Sequence, residues 1–244
     1  PTRVVENVGD VIAYCLDDLA GAVPSATGTS AQAAFLFLGQ SSLSGSPDVT
    51  IDYSDDEASQ SVGTEIEALG DINEDGIDDF AVGDVQRAVT TEQGAASGGV
   101  YVHFGQEAGT PSFGAPDEII TPQPDPQEEL SFFSLNMTAG DFNGDGTPDL
   151  AVLPAFFRTA NDEPVEAIRI HEGGAFFGGT PEQKLFLPAL LAPNIQFERA
   201  TGNVGELTTV PPKAGGSADR LLVGTGSGVP SNALVFSPSQ ETGN

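Results

Sequence analysis

The sequence predicts an all-β chain: a β-propeller-type array of four-stranded antiparallel blades, about three and a half in its 244 residues, belonging to a larger or partner-completed propeller. Three observations predict it. Short apolar runs alternate with clusters of Gly, Pro, Ser and Asp, and helical periodicity is nearly absent. Strand-like segments recur every 66 to 71 residues, a period that signals propellers, solenoids or arrays. One nine-residue acidic segment occurs twice in the same register, as Asp71-Ile-Asn-Glu-Asp-Gly-Ile-Asp-Asp79 and Asp141-Phe-Asn-Gly-Asp-Gly-Thr-Pro-Asp149.

Both acidic segments read D-x-N-x-D-G-x-x-D, follow a Gly and run directly into an apolar strand. Oxygen donors at positions 1, 3, 5 and 9, with a backbone carbonyl at position 7, can converge on a hard cation. Calcium suits such a set because it accepts six to eight oxygens in a flexible geometry. Gly at position 6 permits the tight turn. An EF-hand would place a bidentate Glu at position 12; here Val82 and Val152 stand there, and Phe80-Ala-Val-Gly83 and Leu150-Ala-Val-Leu153 suit strands, not an exiting helix. The ligands therefore belong to a turn between strands. An Asx-rich hairpin turn is the plainer alternative, but without a cation its clustered carboxylates would repel one another.

The register extends outward. Asp79 and Asp149 are 70 positions apart; 69 back from Asp79 stands Asp10, opening Asp-Val-Ile-Ala-Tyr14, and 71 on from Asp149 stands Arg220, opening Arg-Leu-Leu-Val-Gly224. A second apolar element follows each: 34–39, 100–105, 167–171 and 233–236. The implied blades are 1–60 (incomplete), 61–130, 131–200 and 201–244 (incomplete), in one repeat array. The first is expected to lack an inner strand, because Pro1 to Gly9 is too short for a strand and a loop. In the fourth, Pro212, Ala214, Gly216 and Arg220 replace the ligands, so no calcium is expected, and the Arg220 guanidinium stands where the sister blades would hold an ion.

The run G-D-x-N-x-D-G-x-x-D-[FL]-A-V, with Val100-Tyr-Val-His-Phe-Gly105 after it, resembles the FG-GAP repeat of integrin α-subunit propellers and related bacterial proteins. The resemblance covers roughly 61–106 and 131–173. It implies two calcium sites, with ligands Asp71, Asn73, Asp75, Ile77 (carbonyl) and Asp79, then Asp141, Asn143, Asp145, Thr147 (carbonyl) and Asp149. The Phe-Gly of that family falls near Val62-Gly63 and Phe132-Phe133, and its Gly-Ala-Pro is replaced by Gly83-Asp-Val85 and Leu153-Pro-Ala155.

Thirty-six acidic against eight basic residues give a net charge of −28. Such a surface excludes nucleic acid, whose binding depends on Lys and Arg neutralising phosphates, and repels anionic membranes. It suits a saline or calcium-rich medium that screens self-repulsion. No run of eighteen apolar residues offers a membrane span. The start at Pro1 suggests a processed or excerpted chain. Cys15 stands alone and reads as a small buried residue of the first strand. Phe132, Phe133, Phe176 and Phe177 read as packing between blades, and His103 and His171 as equivalent positions on a blade surface.

No nucleophile elbow or phosphate-binding loop occurs, so an enzyme is not expected. The expected function is an extracellular or cell-surface calcium-binding scaffold for adhesion, assembly or ligand binding. The alternatives are a carbohydrate-binding or accessory module of a secreted hydrolase, or a structural subunit of an extracellular filament. Unpaired blade edges favour a protein partner or self-association; a glycan ligand is possible, although Trp is absent and Tyr numbers three.

Overall fold

A computed structural model describes residues 4–22, 32–40, 45–59, 61–91, 94–109, 111–122, 128–131, 133–153, 156–159, 166–175, 177–178, 183–186, 207–212, 216–224 and 233–236. Among them every regular element is a strand, and every strand pairing in the sheets is antiparallel. The first sheet has the order β1 (Val4–Gly9), β2 (Asp18–Ala22), β3 (Ala33–Phe37), β4 (Val49–Asp52). The second repeats it with β5 (Val62–Gly70), β6 (Asp79–Thr91), β7 (Gly94–His103) and β8 (Glu118–Ile120). Next come β9 (Glu128–Ser131) and then β10 (Asn136–Gly140), β11 (Asp149–Leu153), β12 (Phe156–Thr159), β13 (Glu166–His171) and β14 (Gln183–Phe186). Of these, β10, β11, β13 and β14 form the third sheet in that order, while β12 pairs with β9. A fourth sheet holds β15 (Leu207–Val210), β16 (Arg220–Gly224) and β17 (Ala233–Phe236). These are β-propeller blades, and their inner strands β1, β5, β10 and β15 lie side by side.

The alternation of side chains along each strand supplies one face to each neighbouring sheet. Leu36, Val49 and Ile51 of the first sheet pack on Phe80, Val82 and Tyr101 of the second. Ala81, Val100 and Val102 on the opposite face of the second meet Met137, Leu150 and Val152 of the third. Ala151, Ile168 and Ile170 of the third then meet Leu207 and Leu221 of the fourth. Apolar surface thus lies on both faces of a blade, which explains why the strands read as nearly unbroken apolar runs. Phe133 and Phe177 join the second of these cores, as the sequence suggests, whereas Phe132 and Phe176 lie outside the described residues.

Four expectations are corrected. The first sheet has its inner strand, since Val4–Gly9 pairs along β2. Asp10-Val-Ile-Ala-Tyr14 is not the second strand but the loop before it, and the equivalent of Asp79 and Asp149 is Asp18. Val11 and Ile12 are fully buried, so the segment carries the apolar pattern of a strand while its backbone turns. Cys15 is accordingly exposed at the loop tip. His103 and His171 do not face solvent: they are 0 % and 1 % exposed. His103 stacks on Phe80 with its Nε2 2.7 Å from the Tyr53 hydroxyl, and burial pushes its imidazole down to about 3.

The pair equivalent to Val62-Gly63 is Phe133-Ser134, one residue later than the sequence suggests. Gly63 (φ 82°) and Ser134 (φ 76°) share a left-handed conformation. Each packs on the second strand of the preceding sheet: Gly63 against Ala22, with no room for a Cβ, and Ser134 against Gly83. A small residue on both sides of this contact brings neighbouring inner strands together.

Candidate metal-binding loops

Each acidic segment spans the gap between first and second strands. Gly70 ends β5 and Asp79 opens β6; Gly140 ends β10 and Asp149 opens β11. The position-1 carboxylate folds the loop. Asp71 accepts from the amides of Asp75 and Gly76 (both 2.9 Å), and Asp141 from those of Gly144 (2.6 Å) and Gly146 (3.0 Å). Position 4 and position 6 are left-handed in both loops, at Glu74 (φ 64°) and Gly76 (92°), then Gly144 (84°) and Gly146 (100°). Gly at position 6 adopts this conformation without the cost a Cβ imposes.

Positions 3 and 5 form a repeated pair. The Asn73 oxygen accepts from the Asp75 amide (2.9 Å), its Nδ2 donates to Asp75 Oδ2 (3.0 Å), and Asp75 Oδ1 accepts from the Ile77 amide (2.9 Å). In the other loop Asn143, Asp145 and Thr147 do the same at 2.8, 2.9 and 2.8 Å. Thus positions 1, 3 and 5 accept from the amides of residues 75–77 in one loop and 144–147 in the other. Among the described residues no three His, Cys, Asp or Glu side chains close on a single point. The carboxylates are occupied by backbone donors.

Position 9 differs from the rest by its burial. Asp79 is 0 % exposed and Asp149 1 %. Asp79 accepts from the Ile72 amide (2.9 Å) and the Gly105 amide (2.8 Å); Asp149 accepts from Phe142 and Gly173 (both 2.9 Å). Desolvation pushes Asp79 up to about 7 and Asp149 to about 6; the amides oppose this and the position-5 carboxylate adds to it. Neither residue has a cationic side chain in contact among the described residues. A nine-residue loop thus presents three carboxylates, an amide oxygen and a peptide carbonyl, with its innermost carboxylate held at a cost that nearby positive charge would relieve. This donor set fits a hard divalent cation.

The first sheet carries a third copy of the loop that the sequence did not reveal. Asp10 accepts from the amides of Tyr14 (2.8 Å) and Cys15 (2.5 Å), Asp18 accepts from Gly39 (2.7 Å), and Ala13 (φ 53°) and Cys15 (64°) occupy the two left-handed positions. Its positions 3 and 5 are Ile12 and Tyr14, which offer no carboxylate or amide oxygen. In the fourth sheet, the Arg220 guanidinium donates from Nε (3.1 Å) and Nη2 (3.0 Å) to the Pro211 carbonyl at the root of its loop.

Position 8 also escaped the sequence reading. Asp78 Oδ2 accepts from the Asp10 amide of the preceding loop (3.0 Å), and Asp219 Oδ2 from the Asp141 amide (3.1 Å). At the boundary between them Pro148 packs on Gly70 instead. Three residues past the third strands of the second and third sheets comes another bond: the Gln106 amide donates to the Val11 carbonyl (2.9 Å) and the Gly174 amide to the Ile72 carbonyl (2.7 Å). These contacts join every loop to the next, and only the recurrence of Asp at position 8 hinted at them.

An array of propeller blades with acidic loops between first and second strands defines the class of protein. Residues 71–152 match the FG-GAP-like repeat, and the matched region is similar to integrin alpha chains. It is 34 % identical to integrin alpha-5 of Xenopus laevis over 91 residues, which cover 37 % of this chain and 8 % of that protein. It is also 34 % identical to integrin alpha-E of Mus musculus over 86 residues, covering 35 % and 7 % respectively. The matched region spans under a tenth of either relative. No helix among the described residues is long and apolar enough to cross a membrane.

Proposed function

We propose that this chain is a non-enzymatic, extracellular or cell-surface scaffold for adhesion, assembly or ligand binding, whose 1–244 repeat array is stiffened by two calcium ions. The observation that carries the reading is the pair of buried position-9 carboxylates, each at the centre of an oxygen-rich loop and neither in contact with a cationic side chain. Asp71, Asn73, Asp75, Asp79 and the Ile77 carbonyl would hold one ion; Asp141, Asn143, Asp145, Asp149 and the Thr147 carbonyl would hold the other. When bound, calcium supplies positive charge that relieves repulsion among these carboxylates.

The chain's own groups do the rest. Asp71 and Asp141 set the turn through amide bonds, and Asp79 and Asp149 tie the turn to the third strand through Gly105 and Gly173. Fixing position 9 therefore fixes the junction of three strands at one rim of the blade. FG-GAP repeats of the integrin alpha type support the adhesion-related part of the reading. The apolar composition of both blade faces supports a protein partner or a second copy at a face that no neighbouring blade covers; Val5 on the first sheet is 63 % exposed.

Thermal unfolding with calcium and with chelator tests the proposal, alongside calorimetric counting of bound ions. Two ions per chain and a lower midpoint in chelator are expected. An unchanged midpoint with no heat of calcium binding would end it.

A further inference from the structure

We propose that Glu74, which occupies no ligand position, is a positioning residue for the neighbouring loop: it holds Thr147, and so makes the two loops load cations as a coupled pair. This rests on the cation sites proposed above and assigns a residue that acts between them.

Thr147 Oγ1 donates to Glu74 Oε1 across the boundary between second and third sheets, at 2.9 Å. Thr147 is buried, and its carbonyl would be the backbone ligand at position 7. A hydrogen bond that pins this side chain also limits the orientation of the peptide bearing that carbonyl. Glu74 in turn lies between Asp71 and Asp75, whose carboxylates accept from the amides of residues 75, 76 and 77. A cation held by those oxygens would change the bonds they make to these amides, and so the backbone that carries Glu74, which is left-handed at φ 64°. The position of Glu74 Oε1 is thereby linked to the state of its own loop.

A second route joins the same pair. The Ile72 amide donates to Asp79, the Ile72 carbonyl accepts from Gly174, and the adjoining Gly173 amide donates to Asp149. Three hydrogen bonds and the backbone of two residues, Ile72 and Gly173, thus connect the innermost carboxylates of the two loops. The boundary between first and second sheets has matching backbone bonds through Gln106, Val11 and Gly105. Its side-chain link is a different one, from the Asp10 amide to Asp78, because Ala13 stands at position 4 of the first loop and Ile77 at position 7 of the second. The Glu74–Thr147 side-chain pair thus belongs to the boundary flanked by two complete ligand sets, where Pro148 replaces the position-8 aspartate. Ordering of one loop lowers the ordering cost of the other, which gives positive coupling.

Calcium titration of the full 244-residue chain by calorimetry tests this. Filling the second-sheet loop tightens binding at the third-sheet loop by about five-fold or more, the lower end of usual coupling factors. Asp75→Asn, which silences the second-sheet loop, reveals the uncoupled affinity of the other. Glu74→Ala and Thr147→Val each bring the chain to that weaker affinity while two ions still bind, and the double variant goes no further. Thr147→Ser, which keeps the hydroxyl, restores the coupling. Unchanged affinities in both single variants, or losses that add in the double variant, overturn the inference and leave the two cation sites intact. A parent chain that binds no calcium removes the proposed function and this inference together. The two substitutions lie on opposite sides of the bond, so the failure of one variant to fold leaves the other to decide.

Discussion

The loops of the first and second sheets share a backbone and differ in chemistry. Both start with an aspartate that accepts two amides four and five residues on, both are left-handed at positions 4 and 6, and both end on a buried aspartate tied to a glycine after the third strand. Only the second carries oxygen donors at positions 3 and 5, where the first has Ile12 and Tyr14. The comparison separates two roles that the motif combines. Positions 1 and 9 shape the turn by hydrogen bonding, and positions 3 and 5 add the oxygens to which the proposed cation affinity is assigned. A loop that loses the second pair keeps its fold, filling position 3 with buried Ile12.

The largest expected effect distinguishes the loops by calcium. With millimolar calcium and sites of about 10 μM affinity, binding stabilises by about 2.7 kcal/mol per site, so a chelator should cost about 5 kcal/mol in all. Chemical denaturation with and without chelator measures it; a loss below about 1 kcal/mol would contradict two tight structural sites. Next, Asp75→Ala in the second-sheet loop should remove about half of that calcium-dependent stability, whereas Tyr14→Ala at the same position of the first-sheet loop should leave the calcium-dependent part unchanged. Equal sensitivity at both positions would erase the distinction drawn here.

A pH series sharpens a second contrast, between blade boundaries. Glu67 accepts from the Ala139 amide (3.0 Å) where the second and third sheets meet, while Thr138 and Thr209 hydroxyls meet at the next boundary (3.1 Å). Desolvation raises Glu65 to about 8 and Glu67 to about 7 from an ordinary 4.5. A folded pKa above the unfolded one means that the folded chain binds more protons. Stability from these groups is complete below about pH 4.5 and is lost as pH rises through 7 to 8. Glu65→Gln should therefore gain about 2 kcal/mol relative to the parent at pH 8.5 and nothing at pH 4. A parallel shift at both values would show that the carboxylate's charge is not the cause.

The smallest expected effect returns to the loops. Gly76→Ala places a Cβ at φ 92° and should destabilise by about 1 kcal/mol, whereas Cys15→Gly relieves the same strain at φ 64° and should stabilise by about 0.5 kcal/mol. Unfolding midpoints in chelator read both without interference from the ion. Opposite signs are the outcome that matters.

The strand order, the repeat and the placement of both complete loops between first and second strands were legible because each depends on local pattern. Apolar runs bounded by turn residues announce strands, and D-x-N-x-D-G-x-x-D announces a turn lined with oxygens. The first loop was misread because Val11 and Ile12 are buried against neighbouring sheets, giving a turn the hydropathy of a strand. The Phe-Gly equivalent was misplaced by one residue because the left-handed Ser134 is recognised by its backbone, not by its side chain. His103 and His171, at equivalent ends of two third strands, looked solvent-facing because an ordinary sheet has a wet side; here a second core covers that face.

By itself the sequence determined the all-β class, the repeat length and the identity of the candidate ligands, since these follow from local spacing and donor chemistry. Only the tertiary structure decided which acidic side chains act across a boundary. Asp78, Asp219 and Glu74 look like any other acids of a chain with a net charge of −28. Their roles arise because stacked sheets bring loops 68 to 78 residues apart within hydrogen-bond reach. Pairing at that separation depends on how one blade seats against the next, a geometry set by packing and not written in the nine residues of any loop.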